Sequence, residues 1–393
     1  MKKLYLFNPD NDLALGNNDV NYMAPKSAKR LANDLAVLPL WYGGENALIL
    51  ADSAYNRSFV AEVNELFNIN AKIVSWSELD GLEDVFLQPW GWNKAMLKSL
   101  KIAGLNSKSL ITDVMVDSIR SLSHRSAAVK LLQAIPKSNV MCGFSFMMSH
   151  IDDLESIASK LGPIVLKAPF SGSGKGLNWC KYDIDTATVN WCKRLLRTQG
   201  SVIVEPVFDK VQDLAMEFYL ESPTKIKFIG YSSFDTQENG AYTGNLLIPD
   251  DELEEEVNYK FFNYGFLQQV REMISPLLLN MLGGSYKGPL GVDMMVCKFS
   301  TYPYYRLHPC VEINLRMNMG IVAHSFYNKY VSETSRGTYC VSYSKTNSEL
   351  IKEVERLKAA HPLKIERGKI CSGFFHLNPI TPRTQYLAWV LIE

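Results

Sequence analysis

Short apolar runs alternate with stretches of helical spacing over the first hundred residues. The runs predict buried strands at Leu4–Phe7, Ala47–Leu50, Lys72–Val74 and Val85–Leu87. Apolar residues at helical spacing predict helices over Pro25–Val37 and Phe59–Phe67. Because strands that alternate with helices build parallel sheets, the pattern predicts an α/β domain over residues 1–109.

Two polar or aromatic loops follow predicted strands of this domain. Asn8–Asp12 comes after the first strand, and Gln88–Trp92 after the last. Ligands of parallel sheets bind beyond the carboxyl ends of the strands, so both loops are candidates for substrate contacts. An Asx-type turn explains the first loop equally well, and core packing of its tryptophans explains the second.

The middle of the chain, residues 110–207, has the pattern of a compact α+β unit. A helix is predicted over Arg125–Ala134. Strands are predicted at Ile164–Lys167, Leu177–Lys181 and Val202–Val207.

The last region, residues 208–393, is predicted to be mainly antiparallel. Leu214–Leu220 and Ile226–Tyr231 have the composition of strands, and Glu254–Met281 predicts one long, core-packing helix. The acidic start of that helix suits a first helical turn.

Polar and apolar side chains alternate in the run VEINLR, which ends at Arg316. On a strand, Glu312, Asn314 and Arg316 therefore share one face. An earlier strand carries Asp293, and a hairpin turning near Tyr302–Pro303 would bring Asp293 opposite Glu312. Carboxylate and amide oxygens are ligands that Mg²⁺ takes together with substrate phosphates.

A glycine-rich loop precedes the second strand of the middle region. It consists of Ser171, Gly172, Ser173, Gly174, Lys175 and Gly176. Glycines let backbone N–H groups approach an anion, and Lys167 ends the preceding strand. The loop is neither a P-loop, which needs Gly at Pro169, nor a dinucleotide fingerprint, which needs Gly at Leu177. A plain hairpin turn stays an equal alternative.

Composition narrows the class of protein. The 393 residues suggest two or three domains, and 41 basic residues balance 41 acidic ones. The neutral charge gives no electrostatic case for a nucleic-acid or membrane partner. The seven scattered cysteines form no CxxC pair, which favours reduced thiols and a cytoplasmic protein. The first residues have no signal-peptide pattern, and no apolar run is long enough to span a bilayer.

Taken in order, these motifs resemble the ATP-grasp superfamily over roughly residues 110 to 325. The matching positions are Arg125 at a helix start, Lys167, the 171–176 loop, the strand ending in Glu205, Asp213, Asp293, Glu312, Asn314 and Arg316. The resemblance implies a two-lobed ATP-grasp domain with a mainly antiparallel sheet. The small lobe would span 110–207 and the large lobe 208–393, after an α/β domain that helps bind substrate.

The resemblance also implies nucleotide contacts. Arg125 and Lys167 would contact the phosphates of ATP, and the 171–176 loop would close over the β- and γ-phosphates. Glu205 and the backbone through Val207 would meet the adenine edge.

The ribose hydroxyls would be met by Asp213.

The sequence departs from the family pattern at three points. Pro206 has no N–H to offer adenine, Asp213 lies one residue further from Glu205 than is usual, and Arg125 stands where Lys is common.

For chemistry, the resemblance implies that Asp293, Glu312 and Asn314 hold one or two Mg²⁺ ions. Arg316 would face the γ-phosphate or an acyl phosphate, and Lys167 would share the catalytic role. The expected activity is an ATP-dependent ligase, which activates a small carboxylate as an acyl phosphate for attack by an amine or a thiol.

Other functions stay open. A kinase on the same fold would need only one acceptor, and a nucleotide-binding protein without catalysis would need none. A dehydrogenase is disfavoured because no GxGxxG follows Leu4–Phe7. A homodimer is compatible with the size of the chain, although no interface motif points to one.

Overall fold

The computed structural model describes residues 2–105, 108, 110–172, 176–181, 184–237 and 240–393. These residues form three β-sheets of four, nine and four strands. Within the described ranges, no helix is at once long enough and apolar enough to cross a bilayer.

The first sheet is parallel, as predicted, with strand order β3-β2-β1-β4. Its strands are β1 (Lys2–Leu6), β2 (Leu48–Leu50), β3 (Lys72–Val74) and β4 (Val85–Pro89). The helices of this region are α1 (Asn11–Asn17), α2 (Lys26–Asp34), α3 (Ala54–Phe67) and α4 (Lys94–Ile102).

Two helices link this region to a small antiparallel sheet. They are α5 (Asp113–Ser123) and α6 (Ser126–Ala134). The small sheet has the order β5-β8-β6-β7. Its strands are β5 (Phe146–Met148), β6 (Ile164–Lys167), β7 (Leu177–Cys180) and β8 (Val202–Pro206), with helices α7 (Asp153–Leu161) and α8 (Thr186–Gln199).

The large antiparallel sheet has the order β13-β12-β9-β10-β11-β14-β17-β16-β15. Its first strands are β9 (Asp209–Ser222), β10 (Lys225–Thr236) and β11 (Tyr242–Leu247), followed by helices α9 (Asp250–Phe261) and α10 (Phe266–Leu282). Then come β12 (Gly288–Lys298), β13 (Tyr305–Asn314), α11 (Met319–Tyr330), β14 (Gly337–Tyr343), α12 (Asn347–Ala360), β15 (Lys364–Glu366), β16 (Lys369–His376) and β17 (Tyr386–Ile392).

The single long helix predicted over Glu254–Met281 is wrong. The chain forms α9 and α10 instead, separated at Phe262–Gly265. Gly265 has φ +73°, a left-handed conformation that L side chains rarely adopt. Apolar residues continue across the break, which is why the pattern predicts one helix.

The helices before the small sheet pack on the large sheet. Ala127, Leu131 and Ile135 belong to the same core as Leu307 and Ile313 of β13. The predicted boundary between residues 109 and 110 assigns α5 and α6 to the small lobe. Buried side chains of both helices nevertheless pack against the large sheet. The boundaries at 109/110 and 207/208 stay predictions.

A shared core joins the parallel sheet to the far end of the chain. Trp41 is fully buried, with its ring edge-on to Phe59, Phe326 and Phe375 at centroid distances between 5.3 and 6.4 Å. Its Nε1 donates to the carbonyl of Leu377 at 2.7 Å. This contact fixes the N-terminal region against the large sheet.

We expect Trp41→Ala to lower the free energy of unfolding by about 3–5 kcal/mol, because it opens a cavity and leaves a buried carbonyl unpaired. Trp179→Ala is the control, since Trp179 is 45% exposed, and should cost less than about 1 kcal/mol. Urea unfolding followed by circular dichroism measures both. Equal losses in the two variants would contradict the role given to Trp41.

Candidate nucleotide and metal site

The β12–β13 hairpin sets the register of the candidate metal residues. Asp293 lies directly opposite Glu312, and Gly291 lies opposite Asn314. The predicted hairpin and the predicted pairing are therefore confirmed. Two carboxylates on adjacent strands repel each other unless cations lie between or around them.

Asp293 shows the effect of this arrangement. Burial raises its pKa to about 7, and the charge of Glu312 adds to the shift. Asn314 donates its Nδ2 to Asp293 at 3.0 Å, and its Oδ1 accepts from Arg316 at 2.8 Å. The amide oxygen of Asn314, a predicted metal ligand, thus faces a guanidinium rather than the carboxylate pair.

Arg316 is held by helix α1 of the N-terminal region. Its Nε and Nη2 both donate to the carboxylate of Asp12, with the shortest contact at 2.6 Å. Its Nη1 donates to the carbonyl of Met317 at 3.0 Å. The expected contact of Arg316 with a γ-phosphate would need this bidentate ion pair to loosen. The structure therefore places Arg316 as a link between two regions of the chain.

Arg125 connects the glycine-rich loop to the metal residues. Its Nη2 lies 2.9 Å from Glu312 and donates to the hydroxyl of Ser171 at 3.2 Å. Within the described part of the chain, its buried Nε has no hydrogen-bond partner. Arg125 therefore lies between the loop and the carboxylates with one N–H group still to satisfy.

The glycine-rich loop is the tip of the β6–β7 hairpin. Lys167 pairs with Leu177 in the ladder, and the carbonyl of Gly176 accepts from Ala168 at 2.8 Å. A Cβ on Gly176 would lie 2.3 Å from the Cβ of Ser171, so only glycine fits there. Gly172 follows Ser171 in the loop. The remaining predicted lid residues, Ser173, Gly174 and Lys175, lie outside the described residues.

The other predicted phosphate contact, Lys167, forms a buried ion pair. Its Nζ lies 2.6 Å from Glu205, and both side chains are less than 10% exposed. Ser145 donates its hydroxyl to the same carboxylate at 3.1 Å. The N–H of Val207 donates to the carbonyl of Pro163 at 2.9 Å, so this predicted adenine contact is engaged within the fold.

Asp213 lies further along the same face of the large sheet. It pairs with Met295 in the ladder, two residues from Asp293, and its charge contributes to the raised pKa of Asp293. Its carboxylate is bound by Lys210 and by the hydroxyl of Thr236. The ribose contact expected of Asp213 stays a prediction.

Glu217 lies beside the candidate site, and sequence reasoning missed it. It lies on β9 opposite Gly291 and is 1% exposed. Burial raises the pKa of Glu217 to about 8. The hydrogen bond that Glu217 accepts from Asn318 at 2.7 Å acts in the opposite direction and lowers this pKa. The alternation of β9 contains the signal, since Asp213 and Glu217 are four residues apart and share a face.

His308, which the sequence places near the metal strand as an ordinary surface or core residue rather than a catalytic one, is a core residue in the structure. Its side chain is fully buried, and among the described residues neither ring nitrogen has a hydrogen-bond partner. Burial lowers its pKa to about 4, and the charges of Glu205 and Lys167 act on it in opposite directions. His308 therefore lies beside the predicted adenine region as a neutral imidazole.

Asp293 and Glu312 suit a Mg²⁺ ion that is also bound by phosphate oxygens. They do not form a complete set of ligands for a metal held by the protein alone. Within the described ranges, no group of three or more His, Cys, Asp or Glu residues has the arrangement of a metal site. Asp293 and Glu312 supply two carboxylates, which is the number that Mg²⁺ commonly takes from a protein when phosphate oxygens complete its coordination.

Comparison with solved structures defines the class of fold. N5-carboxyaminoimidazole synthetase from Staphylococcus aureus, complexed with ADP, is 12% identical, with a TM-score of 0.51 over 100% of this chain and 93% of that chain. A biotin carboxylase β,γ-ATP complex from Campylobacter jejuni is also 12% identical, with a TM-score of 0.51 over 100% and 87%. No protein-family model and no curated protein matches the sequence.

The match over the whole length assigns the architecture. A parallel N-terminal sheet is followed by a small antiparallel sheet and a large one, as in these enzymes. At 12% identity this likeness shows the fold: the chain shares the fold of these two enzymes, which agrees with the fold that the motif resemblance implies.

The buried Lys167–Glu205 pair gives a stability prediction. Glu205→Ala should lower the free energy of unfolding by about 3–5 kcal/mol, because it leaves the Lys167 charge buried without a partner. Glu353→Ala is the control, since the Glu353–Arg356 pair is 54% and 64% exposed and should matter by less than about 1 kcal/mol. Urea unfolding measures both, and a Glu205→Ala loss no larger than that of the control would refute the prediction.

His308 gives a pH prediction. Its pKa of about 4 in the folded chain lies below the ordinary value of 6.5. The unfolded chain therefore binds the proton first, and the contribution of His308 to stability is lost as the pH falls from 6.5 towards 4. Unfolding curves at pH 7 and pH 5 should differ less for His308→Leu than for the unchanged chain. His150→Leu, at an exposed position, should keep the full difference; if it behaves like His308→Leu, the assignment fails.

Proposed function

We propose that the protein is an ATP- and Mg²⁺-dependent ligase, which activates a small carboxylate as an acyl phosphate for attack by an amine or a thiol. One observation carries the proposal: Asp293 faces Glu312 across the hairpin while Arg125 joins Glu312 to the glycine-rich loop. Phosphates held by that loop would lie next to the carboxylates that a phosphate-bound Mg²⁺ needs.

The charges around the phosphates support this assignment. Arg125 has an unpartnered Nε in the described structure, and this donor suits a phosphate oxygen. Lys167 ends the strand that leads into the loop, and its charge offsets phosphate charge even while Glu205 orients it. One or two Mg²⁺ ions held by Asp293 and Glu312, with Asn314 beside them, would neutralise the phosphate charge that develops during transfer.

The mechanism needs little covalent chemistry from the protein. A substrate carboxylate oxygen attacks the γ-phosphorus, and ADP leaves. The amine or thiol then attacks the acyl carbon, phosphate leaves, and the nucleophile loses its proton. The protein contributes alignment and charge: Arg125 and Lys167 at the phosphates, and Arg316 fixed by Asp12 beside the metal residues.

The remaining nucleotide contacts follow the same geometry. Glu205 lies on the last strand of the small sheet and Asp213 on the large sheet, so adenosine between the two sheets would meet both. The Val207 N–H is engaged by Pro163, and Glu205 is engaged by Lys167 and Ser145, so a contact of either residue with adenine requires one of these bonds to open.

The ligands bound in similar solved structures also support the proposal. The synthetase is described with ADP bound and the biotin carboxylase with a β,γ-ATP ligand. One of these proteins is a synthetase and the other a carboxylase, which favours a ligase. A kinase or a non-catalytic nucleotide binder on the same fold stays an alternative, and the cytoplasmic location stays a prediction from the sequence.

We expect ATP turnover to need Mg²⁺, a carboxylate and an amine or thiol together, with ADP and phosphate as products. Pools of small carboxylic acids, amino acids and thiols would be screened by coupled ADP detection. Asp293→Asn and Glu312→Gln should each lower turnover by about 100-fold or more, because each removes a carboxylate that would hold the Mg²⁺ bound to the phosphates. Asp251→Asn is the matched control at an exposed position and should leave turnover unchanged.

The products separate the alternatives. Phosphorylation of a single acceptor, with no joined product, would favour a kinase. AMP as the nucleotide product would exclude the acyl-phosphate route. Magnesium-dependent ATP binding that Glu312→Gln leaves intact would contradict the assignment of the metal residues.

A further inference from the structure

A large cavity lies in the N-terminal region, apart from the carboxylate pair. Its volume is about 1240 Å³, and its walls come from the residues that follow β1 and β2, from α2, and from the loop before β17. It therefore opens beyond the carboxyl ends of parallel strands, where α/β sheets bind their ligands.

Four cationic side chains line this cavity. Lys26, Lys29 and Arg30 occupy one face of α2 at the spacing i, i+3 and i+4, and Arg383 faces them from the C-terminal loop. Within the described residues, none of the four forms a salt bridge. Arg30 donates instead to the backbone carbonyl of Arg383 at 2.9 Å, which joins the two walls.

Three carboxylates, those of Asp10, Asp34 and Asp52, line the cavity together with these cations. Asp34 accepts from the backbone N–H groups of Gln385 and Tyr386 at 2.9 and 3.0 Å. Asp52 accepts from the N–H of Trp76 at 3.3 Å. Burial raises the pKa of Asp10, and Lys29 lies close enough for its charge to lower that pKa in turn. The four cations of the lining therefore exceed the three carboxylates by one.

Two helix N-termini add to the positive potential. Helix α3 begins after Ser53 and helix α4 after Asn93, and both capping residues line the cavity. Ser53 has φ +89°, a strained conformation for a residue with a side chain. The buried hydroxyl of Tyr22, also on the wall, has no hydrogen-bond partner among the described residues.

We propose that this cavity binds the oxyanion group, phosphate or carboxylate, of a substrate. The inference rests on the proposed function, since it names the class of molecule that the ligase would join. Asn8 and Asp10 line the cavity, and Asp12, in the first turn of α1, holds Arg316. A molecule anchored at Lys26 and Lys29 would extend along this segment towards the site of phosphoryl transfer.

Direct titration without nucleotide or Mg²⁺ tests the site independently of turnover. Inorganic phosphate and glutarate would be added to the full chain at constant ionic strength, with heat of binding as the readout. We expect one of the two probes to bind, and Lys26→Gln/Lys29→Gln to weaken it by about tenfold. The tighter probe identifies the group, phosphate ester or carboxylate.

Two further variants separate the possible failures. Lys352→Gln/Lys358→Gln removes the same charge from the exposed face of α12 and should leave binding unchanged. Asp293→Asn/Glu312→Gln should keep anion binding even where it abolishes magnesium-dependent ATP binding. No binding of either probe, or binding that the Lys26/Lys29 variant leaves unchanged, would overturn the proposal while leaving the nucleotide site untouched.

Discussion

The antiparallel register of β12 and β13 is the constraint on which the site depends. It places Asp293 opposite Glu312, and a slip of one residue would turn one carboxylate into the core. The register is firmly set, because Val292 and Ile313 fill the core beneath the same pair. A buried apolar face therefore fixes the positions of the charged one, and the packing of the large sheet also positions the metal residues.

Charge balance is the second property of the site. Among the described residues, three cations near the carboxylates are paired: Arg125 with Glu312, Arg316 with Asp12, and Lys167 with Glu205. Burial raises the pKa of Asp293 to about 7 and that of Glu217 to about 8. Additional negative charge beside these two carboxyl groups is therefore unfavourable unless a cation accompanies it. In the proposed complex, Mg²⁺ would take over Glu312, and Arg125 would turn from that carboxylate to phosphate. Nucleotide and metal would then bind together.

Local patterns predicted those parts of the structure that depend on neighbouring residues. The alternation at Glu312 and Asn314 predicted the correct partner for Asp293, and β6 ends at Lys167 as predicted. The predicted strand does not continue to Arg316, because β13 ends at Asn314. Contacts between distant segments were not accessible in this way. Asp12 and Arg316 are 304 positions apart, and no local pattern signals their pairing. The strands β14–β17 were missed because their pairing completes a sheet begun more than a hundred residues earlier.

A crystal structure with Mg²⁺ and a non-hydrolysable ATP analogue tests the central claim most directly. The account predicts adenosine between the small and large sheets and the phosphates under the loop that begins at Ser171. It also predicts metal density between Asp293 and Glu312, with Arg125 on a phosphate oxygen. Nucleotide bound elsewhere, or phosphates in place with metal density away from this carboxylate pair, would contradict it.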